Sequence, residues 1–325
     1  MKLPTSAGEA QFQRDNPITR FVDHQGVMMI DGGLSTELEA RGHDLKDELW
    51  SARLLLDAPE VVRQVHMDFL AAGADCITTV TYQATVQGFS RRGLGERDAV
   101  DLIRLAVQLA VDARDQFWAD HSNREGRLRP LVAASIGPYG AFLADGSEYT
   151  GDYDIDDEAL HQFHRVRWSA LAHSPADVLA CETIPSAREA EVLLRLLGET
   201  PGLWAWLSFS CRDDVHLSDG SPLVEVAQLC DTAPGVMAVG VNCVPPSAVA
   251  ALIVELRKGT TKPVVVYPNS GELYNAEVKT WESTPDDLDW LHAGTEWAEM
   301  GVAGIGGCCR VDPRTIAAMR QQLVG

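Results

Sequence analysis

The chain has 325 residues, 46% of them hydrophobic and 23% charged, with 47 acidic against 27 basic side chains and 7 cysteines. That balance, without low-complexity tracts, excludes a disordered or fibrous chain and describes a folded protein with room for a large core. A net charge of −20 excludes phosphate backbones and anionic lipid as natural partners, since both select dense Lys and Arg, and leaves small molecules or plain solubility as its use.

Residues 1–25 mix Pro, Ser, Gln, Arg and Asp without the apolar stretch of an export signal, and read as a lead-in to one domain spanning 1–325. Later apolar runs such as Ala248 to Val254 fall short of the ~20 residues that cross a bilayer. A cytoplasmic protein is expected. In that reducing compartment the seven cysteines are either buried apolar groups or metal and catalytic groups.

From residue 27 onward, short β-branched or apolar runs alternate with longer stretches of helical spacing. Strands are expected over 27–31, 74–79, 131–135, 177–182, 203–209, 237–242, 263–267 and 302–307. Helices are expected over 59–72, 96–120, 157–172, 186–197, 222–230, 247–258, 285–300 and 312–323, several opening on Pro, Ser or Asp in the manner of first-turn and capping residues. Eight such units with no break in composition predict a single (β/α)8 TIM-type barrel, an α/β fold. A doubly wound open sheet is the alternative, but Asp31-Gly32-Gly33-Leu34-Ser35 follows the first strand where a dinucleotide fold would carry G-x-G-x-x-G. Long loops follow the first strand, to Ala58, and the third, over 137–154; both belong to the C-terminal face of a barrel, where sites are built.

The expected strands end in Asp31, Thr78-Thr79, Ser135, Glu182, Ser208, Asn242-Cys243 and Cys308-Cys309, polar or sulfur groups where pure core would be apolar. A barrel brings those ends to one mouth. Cys243 closes the sixth strand and Cys308-Cys309 follow Gly306-Gly307 at the end of the eighth, so the three thiolates can face one point. Neighbours in a strand point to opposite faces, so the pair shares a metal only if the backbone leaves strand geometry, which Gly-Gly permits. Three cysteines leave the fourth tetrahedral position of Zn2+ open, as in a catalytic site. Cys76, Cys181, Cys211 and Cys230 lack such company and read as structural.

A thiolate-rich zinc is a poor carbonyl activator but holds a fourth sulfur deprotonated, which favours alkyl transfer to a substrate thiol over hydrolysis. The nine His form no H-x-H or H-E-x-x-H pair, and His161 and His164, three apart, read as a surface or helix-packing feature. Glu182 is placed to accept an α-ammonium, with Asp31 assisting or only organising its turn. The Gly32-Gly33-Leu34 turn offers N–H groups to an α-carboxylate.

At these residues the chain resembles the zinc-dependent homocysteine S-methyltransferases. The resemblance runs from about Met28 to Ile316, and its motifs include Asp31-Gly32-Gly33, Asp47-Glu48-Leu49-Trp50-Ser51-Ala52, Thr81-Tyr82-Gln83-Ala84, Gly137-Pro138-Tyr139-Gly140, Gly146-Ser147-Glu148-Tyr149, Glu182-Thr183-Ile184-Pro185, Gly240-Val241-Asn242-Cys243, Tyr267-Pro268-Asn269-Ser270-Gly271-Glu272 and Gly307-Cys308-Cys309-Arg310. It implies a (β/α)8 barrel, zinc on Cys243, Cys308 and Cys309, homocysteine thiolate as fourth ligand, and the amino-acid end of homocysteine near Asp31 and Glu182. The Glu-Thr-Ile-Pro and Gly-Ser-Glu-Tyr stretches are similar to the branch that uses S-methylmethionine, with S-adenosylmethionine as a lesser donor. The betaine-using branch differs after the fourth strand and carries a longer C-terminal extension, whereas 16 residues follow Cys309 here. A sulfonium also suits aromatic faces, for which Trp50, Tyr82, Tyr139, Tyr149 and Tyr274 are candidates, and Asn242 joins the substrate-binding set.

The expectation is that zinc-bound homocysteine takes the methyl group of S-methylmethionine and two methionines result, by a monomer or small homo-oligomer. Two other readings stand beside it: a betaine-dependent or other thiol or selenol methyltransferase, and, from another class, a non-catalytic zinc-binding or sensing protein.

Overall fold

Valine, isoleucine and alanine runs bounded by Gly, Pro and Asp bury both faces of a strand, and such strands pair in parallel under a cover of helices. The computed structural model describes residues 15–45, 49–271, 273–275, 280–282 and 289–325, with the side chains of Trp50 and of 273–275 and 280–282 outside the described set. Its barrel strands are β1 (Met28–Met29), β2 (Cys76–Thr78), β3 (Leu131–Ile136), β4 (Val178–Ile184), β5 (Ala205–Phe209), β6 (Val236–Asn242), β7 (Val264–Tyr267) and, after a hairpin of β8 (Leu273–Asn275) and β9 (Thr280–Glu282), β10 (Gly304–Ile305). The eight-stranded sheet runs β1-β10-β7-β6-β5-β4-β3-β2, every pair parallel. A parallel bridge between Ile30 and Cys76 joins β1 to β2 and closes it, with Asp75 N donating to Met29 O at 2.7 Å and Asp31 N to Cys76 O at 3.0 Å. The structure is the expected (β/α)8 barrel. The hairpin was not foreseen, and the start of the helix expected over 285–300 lies outside the described residues, its described part being Trp290–Glu299.

Alternation along the strands separates two cores. Val132, Ala134, Leu179, Cys181, Leu207, Val239 and Val266 face the helices. Leu131, Ala133, Val178, Ala180, Trp206, Ala238 and Val265 fill the barrel. Small residues on most strands leave room for Trp206, whose Nε1 donates to Tyr267 Oη at 3.0 Å and so ends the packed interior on a polar layer.

The expected lead-in does more than precede the barrel. Residues Thr19–Gln25 form a helix, and Ile18 and Phe21, fully buried among Met28, Leu131 and Met237, plug the N-terminal end. Asn16 Nδ2 anchors it on Met237 O at 2.7 Å. Beside that plug the buried Asp75 accepts from Met29 N at 3.0 Å, Gln25 Nε2 at 2.6 Å and Arg320 Nη1 at 3.0 Å, so one carboxylate ties the lead-in helix and the last helix, Pro313–Leu323, to the β1–β2 seam. Among the described residues no helix is long and apolar enough to cross a membrane.

The two long loops lie on the opposite face and are largely helical: Leu34–Ala40, Trp50–Arg53 and Leu54–Asp57 follow β1, and Tyr139–Leu143 and Ser147–Tyr149 follow β3.

Candidate metal centre

Cys243 is the first residue beyond β6. Its φ of 53° is left-handed, and its N–H donates to Tyr267 O at 3.2 Å, which turns the side chain over the mouth. The β10 ladder ends at Ile305, yet the chain stays stitched between its neighbours through Gly306 N to Val266 O at 3.1 Å, Gly307 N to Asp31 O at 3.0 Å and Cys308 N to Pro268 O at 2.7 Å. A turn then closes from Val311 N to Cys308 O at 3.2 Å, with Arg310 left-handed at φ 67°. The vicinal pair therefore sits outside strand geometry, as sharing a metal requires. The glycines act differently from expectation: neither has positive φ, and they serve close approach. A Cβ on Gly306 would lie 2.7 Å from Ile30 Cβ, and one on Gly307 would lie 2.2 Å from Val311 Cγ1.

The outcome is three free sulfurs all within 4.8 Å of one another, Cys243 Sγ to Cys309 Sγ being 3.8 Å and Cys308 Sγ to Cys309 Sγ 3.9 Å. Sulfurs held ~2.3 Å from a tetrahedral ion stand about 3.8 Å apart, so the two distances to Cys309 match one divalent metal and the third sulfur pair stays within 4.8 Å. Its electrostatics fit as well. Hydrogen bonds from Cys308 and then Cys309 draw the Cys243 thiol well down, while Cys308 and Cys309 are pushed well up, each chiefly by Cys243. Three thiolates cannot ionise together at one point until a cation neutralises them. The remaining cysteines have no such use: burial pushes Cys76 and Cys181 up, and Cys211 and Cys230 up to about 12.

The sulfurs open onto a cavity of about 150 Å3 at the C-terminal mouth. Its floor is a hydrogen-bonded lattice. Glu182 Oε1 accepts from the Ser135 hydroxyl, and Tyr267 Oη bonds Ser208 Oγ. Asn242 Oδ1 accepts from Ser208 Oγ and from Thr183 N, both at 2.7 Å, while Asn242 Nδ2 donates to Thr183 Oγ1 at 2.8 Å and approaches Cys308 Sγ at 3.9 Å. Asn242, expected to bind substrate, thus spends its amide on Thr183, a left-handed residue at φ 58°, and on the sulfur. Burial, opposed by Ser135 and Tyr267, pushes the Glu182 carboxyl up to about 7.

Asp31, Gly32 and Gly33 line the same cavity. Both Asp31 oxygens are engaged by Thr78, Oδ2 by its N–H at 2.8 Å and Oδ1 by its hydroxyl at 3.0 Å, across the barrel seam, and burial pushes this carboxyl well up. The Gly33 N–H is spent on Val311 O at 2.8 Å, so the donors left to an anion there are the first-turn N–H groups of Leu34–Ala40. Tyr82 and Tyr149 line the cavity, and Tyr149 Oη lies 3.5 Å from Cys243 Sγ. Burial holds both phenols protonated, so Tyr149 donates. Tyr139 is elsewhere: its ring packs on Phe163 at 4.9 Å and Tyr153 at 5.3 Å, beneath the β3 loop. The side chains of Trp50 and Tyr274 lie outside the described residues.

Several contributors were not singled out from sequence. Glu148, nine-tenths buried, lines the cavity, although its motif had been read only as a branch mark. Of the two readings given for His161 and His164, helix packing holds: both are buried, and His164 places Nε2 on Glu189 at 2.7 Å and Nδ1 on Arg167 at 3.0 Å. Arg167 in turn holds Tyr82 O at 3.0 Å and Gly137 O at 2.6 Å, which fixes the loops behind Tyr82. The signal available in the sequence was His164 and Arg167 falling on the apolar stripe of Leu160, Phe163, Trp168 and Leu171.

A parallel barrel with three sulfurs placed to hold a metal at the mouth of a carboxylate-lined cavity has the layout of an enzyme of the TIM-barrel class. The family model described as homocysteine S-methyltransferase matches residues 28–323, and the chain belongs to that family of methyltransferases. It is 49% identical over 93% of its length to a Bacillus subtilis homocysteine S-methyltransferase, covering 96% of that protein, and 45% identical over 92% to a selenocysteine Se-methyltransferase of Brassica oleracea, covering 89% of it. The metallated crystal form of the Escherichia coli homocysteine methyltransferase MmuM superposes with a TM-score of 0.84 at 45% identity, over 94% of this chain and 100% of that one.

Proposed function

We propose that this enzyme transfers a methyl group from a sulfonium donor, S-methylmethionine, to the thiol of homocysteine, with zinc as the metal. The observation that carries the reading is the three-sulfur cluster opening on a cavity whose buried ionisable groups are otherwise carboxylates and phenols. Cys243, Cys308 and Cys309 would hold the zinc, and the chemistry it would supply is a deprotonated substrate sulfur at neutral pH. The chain's own residues do the rest. Glu182 and Asp31 receive the α-ammonium of homocysteine, and the first-turn N–H groups of Leu34 and Ser35 receive its α-carboxylate. Tyr149 donates to Cys243, and Asn242 to Cys308, which orients the sulfurs and tempers their charge. Tyr82 and Tyr149 offer ring faces to the onium donor.

The thiol proton leaves to solvent as homocysteine binds. A bond forms from that sulfur to the donor methyl carbon while the carbon–sulfonium bond breaks, its electron pair staying on the departing thioether. That leaving group is neutral and needs no acid. What the protein contributes is alignment of two bound substrates and exclusion of water. The similarity to a protein named selenocysteine Se-methyltransferase supports a second reading, a selenol acceptor at the same centre. Seven free cysteines suit the reducing cytoplasm as its place of work.

The test is methionine formation from homocysteine with S-methylmethionine, S-adenosylmethionine or betaine offered separately, and selenocysteine offered in place of homocysteine. Two methionines per turnover are expected with S-methylmethionine; metal-loaded protein that makes none from either sulfonium would overturn the assignment. Cys308→Ala is expected to lose metal and turnover together, and a metal-free variant with wild-type rate would refute the role of the cluster.

A further inference from the structure

Among the described residues, Glu148 is the buried carboxylate of the cavity with an oxygen left unpartnered. It lies in the turn Ser147–Tyr149, and its backbone is clamped: its carbonyl accepts from Ser210 Oγ at 3.1 Å, and a Cβ on Gly140 would fall 2.4 Å from its nitrogen. The residue is 8% exposed, yet Oε2 has no hydrogen-bond partner among the described residues. Backbone N–H groups of Glu148 itself and of Gly146 reach the carboxylate but leave Oε2 open, whereas Asp31 is engaged at both oxygens by Thr78 and Glu182 is engaged by Ser135 and Tyr267.

The surroundings deepen the contrast. No Lys, Arg or His lines the cavity among the described residues, while Asp31, Glu39, Glu148 and Glu182 all do. An ionised carboxylate held away from water with no counter-charge is costly, and proteins neutralise it, pair it or give it a ligand. Burial, opposed by the backbone N–H bonds of Glu148 and Gly146 and reinforced by Cys243 and Asp145, pushes this carboxyl up to about 7. Its neighbours on the wall are Tyr82 and Tyr149, whose ring faces also favour positive charge.

We infer that Glu148 is the counter-ion for the methyl donor's positive charge and the residue that selects onium donors over their uncharged counterparts. The inference rests on the methyl-transfer reading above. It adds a consequence: transfer converts the sulfonium into a neutral thioether, so the pairing that holds the donor disappears in the product and release is favoured.

The experiment uses metal-loaded protein and two donor-site probes, S-methylmethionine and its uncharged carbon isostere in which C–H replaces S+. Glu148→Gln is expected to raise the KM for S-methylmethionine on the order of 30-fold or more. The Ki of the isostere, the KM for homocysteine and the metal content are expected to stay at wild-type values. Glu148→Asp, which keeps the charge but withdraws it, is expected to fall between. In ligand-free protein Glu148→Gln is expected to melt at the same or a higher temperature, because it removes an unpaired buried charge; a clearly lower melting temperature would mean that the carboxylate stabilises the empty fold and would overturn the assignment. So would an unchanged donor KM in a fully metallated Glu148→Gln. Should Glu148→Gln fail to load metal, the same comparison on Glu148→Asp decides, an unshifted donor KM again overturning it. A wild-type holoenzyme that transfers no methyl from any sulfonium sinks instead the reading on which the inference stands.

Discussion

Asn242→Ala probes whether the floor of the cavity, and not the cysteines alone, holds the metal centre in shape. The amide joins β6 to β4 through Thr183 N at 2.7 Å and Thr183 Oγ1 at 2.8 Å, and to β5 through Ser208 Oγ at 2.7 Å. Its loss orphans one buried backbone N–H, at about 1–3 kcal/mol. Ser208 keeps Tyr267 as a partner and adds little. The bond from Asn242 Nδ2 to the Thr183 hydroxyl goes as well, at about 1 kcal/mol, whereas the strain of the left-handed Thr183 (φ 58°) is already present in the wild type and adds nothing to the loss. The expected loss of unfolding free energy is therefore about 2–4 kcal/mol, read by urea denaturation at equal metal occupancy. Because Asn242 Nδ2 also approaches Cys308 Sγ at 3.9 Å, metal affinity should fall roughly 10-fold, read by competition with a chelator. A double-mutant cycle isolates the mechanism: in a Thr183→Gly background, where no hydroxyl remains, the cost of Asn242→Ala should shrink by about 1 kcal/mol. Strict additivity, or a loss in the single variant below ~0.5 kcal/mol, would refute the reasoning.

Burial lowers His66 to about 4, so the folded state stays neutral while the unfolded chain takes a proton below ~6.5; stability is full above that pH and falls as pH drops toward 4, by about 2 kcal/mol at pH 5. His66→Leu should remove that component, and a wild-type-minus-variant stability difference that does not change between pH 7 and 5 would contradict it. Asp75→Ala strands the part-buried Arg320 and Arg127 at the barrel seam and should cost about 3–5 kcal/mol in chemical denaturation, with Asp75→Asn milder. Gly33→Ala puts a Cβ 2.7 Å from Cys308 O and from Thr36 Oγ1, so titration with zinc should show weaker binding before any large drop in melting temperature.

The alternation of strand and helix was legible because each parallel strand is buried on both faces and reads as a continuous apolar run, while each covering helix shows one stripe. What escaped were elements whose partners are distant in sequence. Ile18, Phe21 and Val22 carry helical spacing, but nothing local says that the helix they build is a plug for the far end of a barrel. The β8–β9 hairpin is too short for any period to register. The long loops after β1 and β3 were placed correctly and their helical turns missed, since turns such as Tyr139–Leu143 are held by contacts to other segments, including Tyr139 N on Glu189 at 2.7 Å.

At the site, legibility followed the chemistry of each residue. Thiols at two strand ends are rare enough, and useful enough to a metal, that their convergence could be anticipated from barrel geometry alone. Carboxylates are common, so position at a strand end had to stand in for environment. That criterion picked out Glu182 and Asp31, which both line the cavity, Asp31 with its two oxygens already engaged by Thr78. It failed for Glu148, which sits on no strand and is brought over the cavity by a turn packed on Gly140. Asn242 stands at a strand end and lines the cavity, with its amide bonded to Thr183 and Ser208, where it braces a left-handed backbone. A polar side chain at the mouth of a barrel can therefore face the ligand or brace the residues that do. The distinction lies in which of its hydrogen bonds the protein has already made, Asn242 having filled its amide and Glu148 having left Oε2 open.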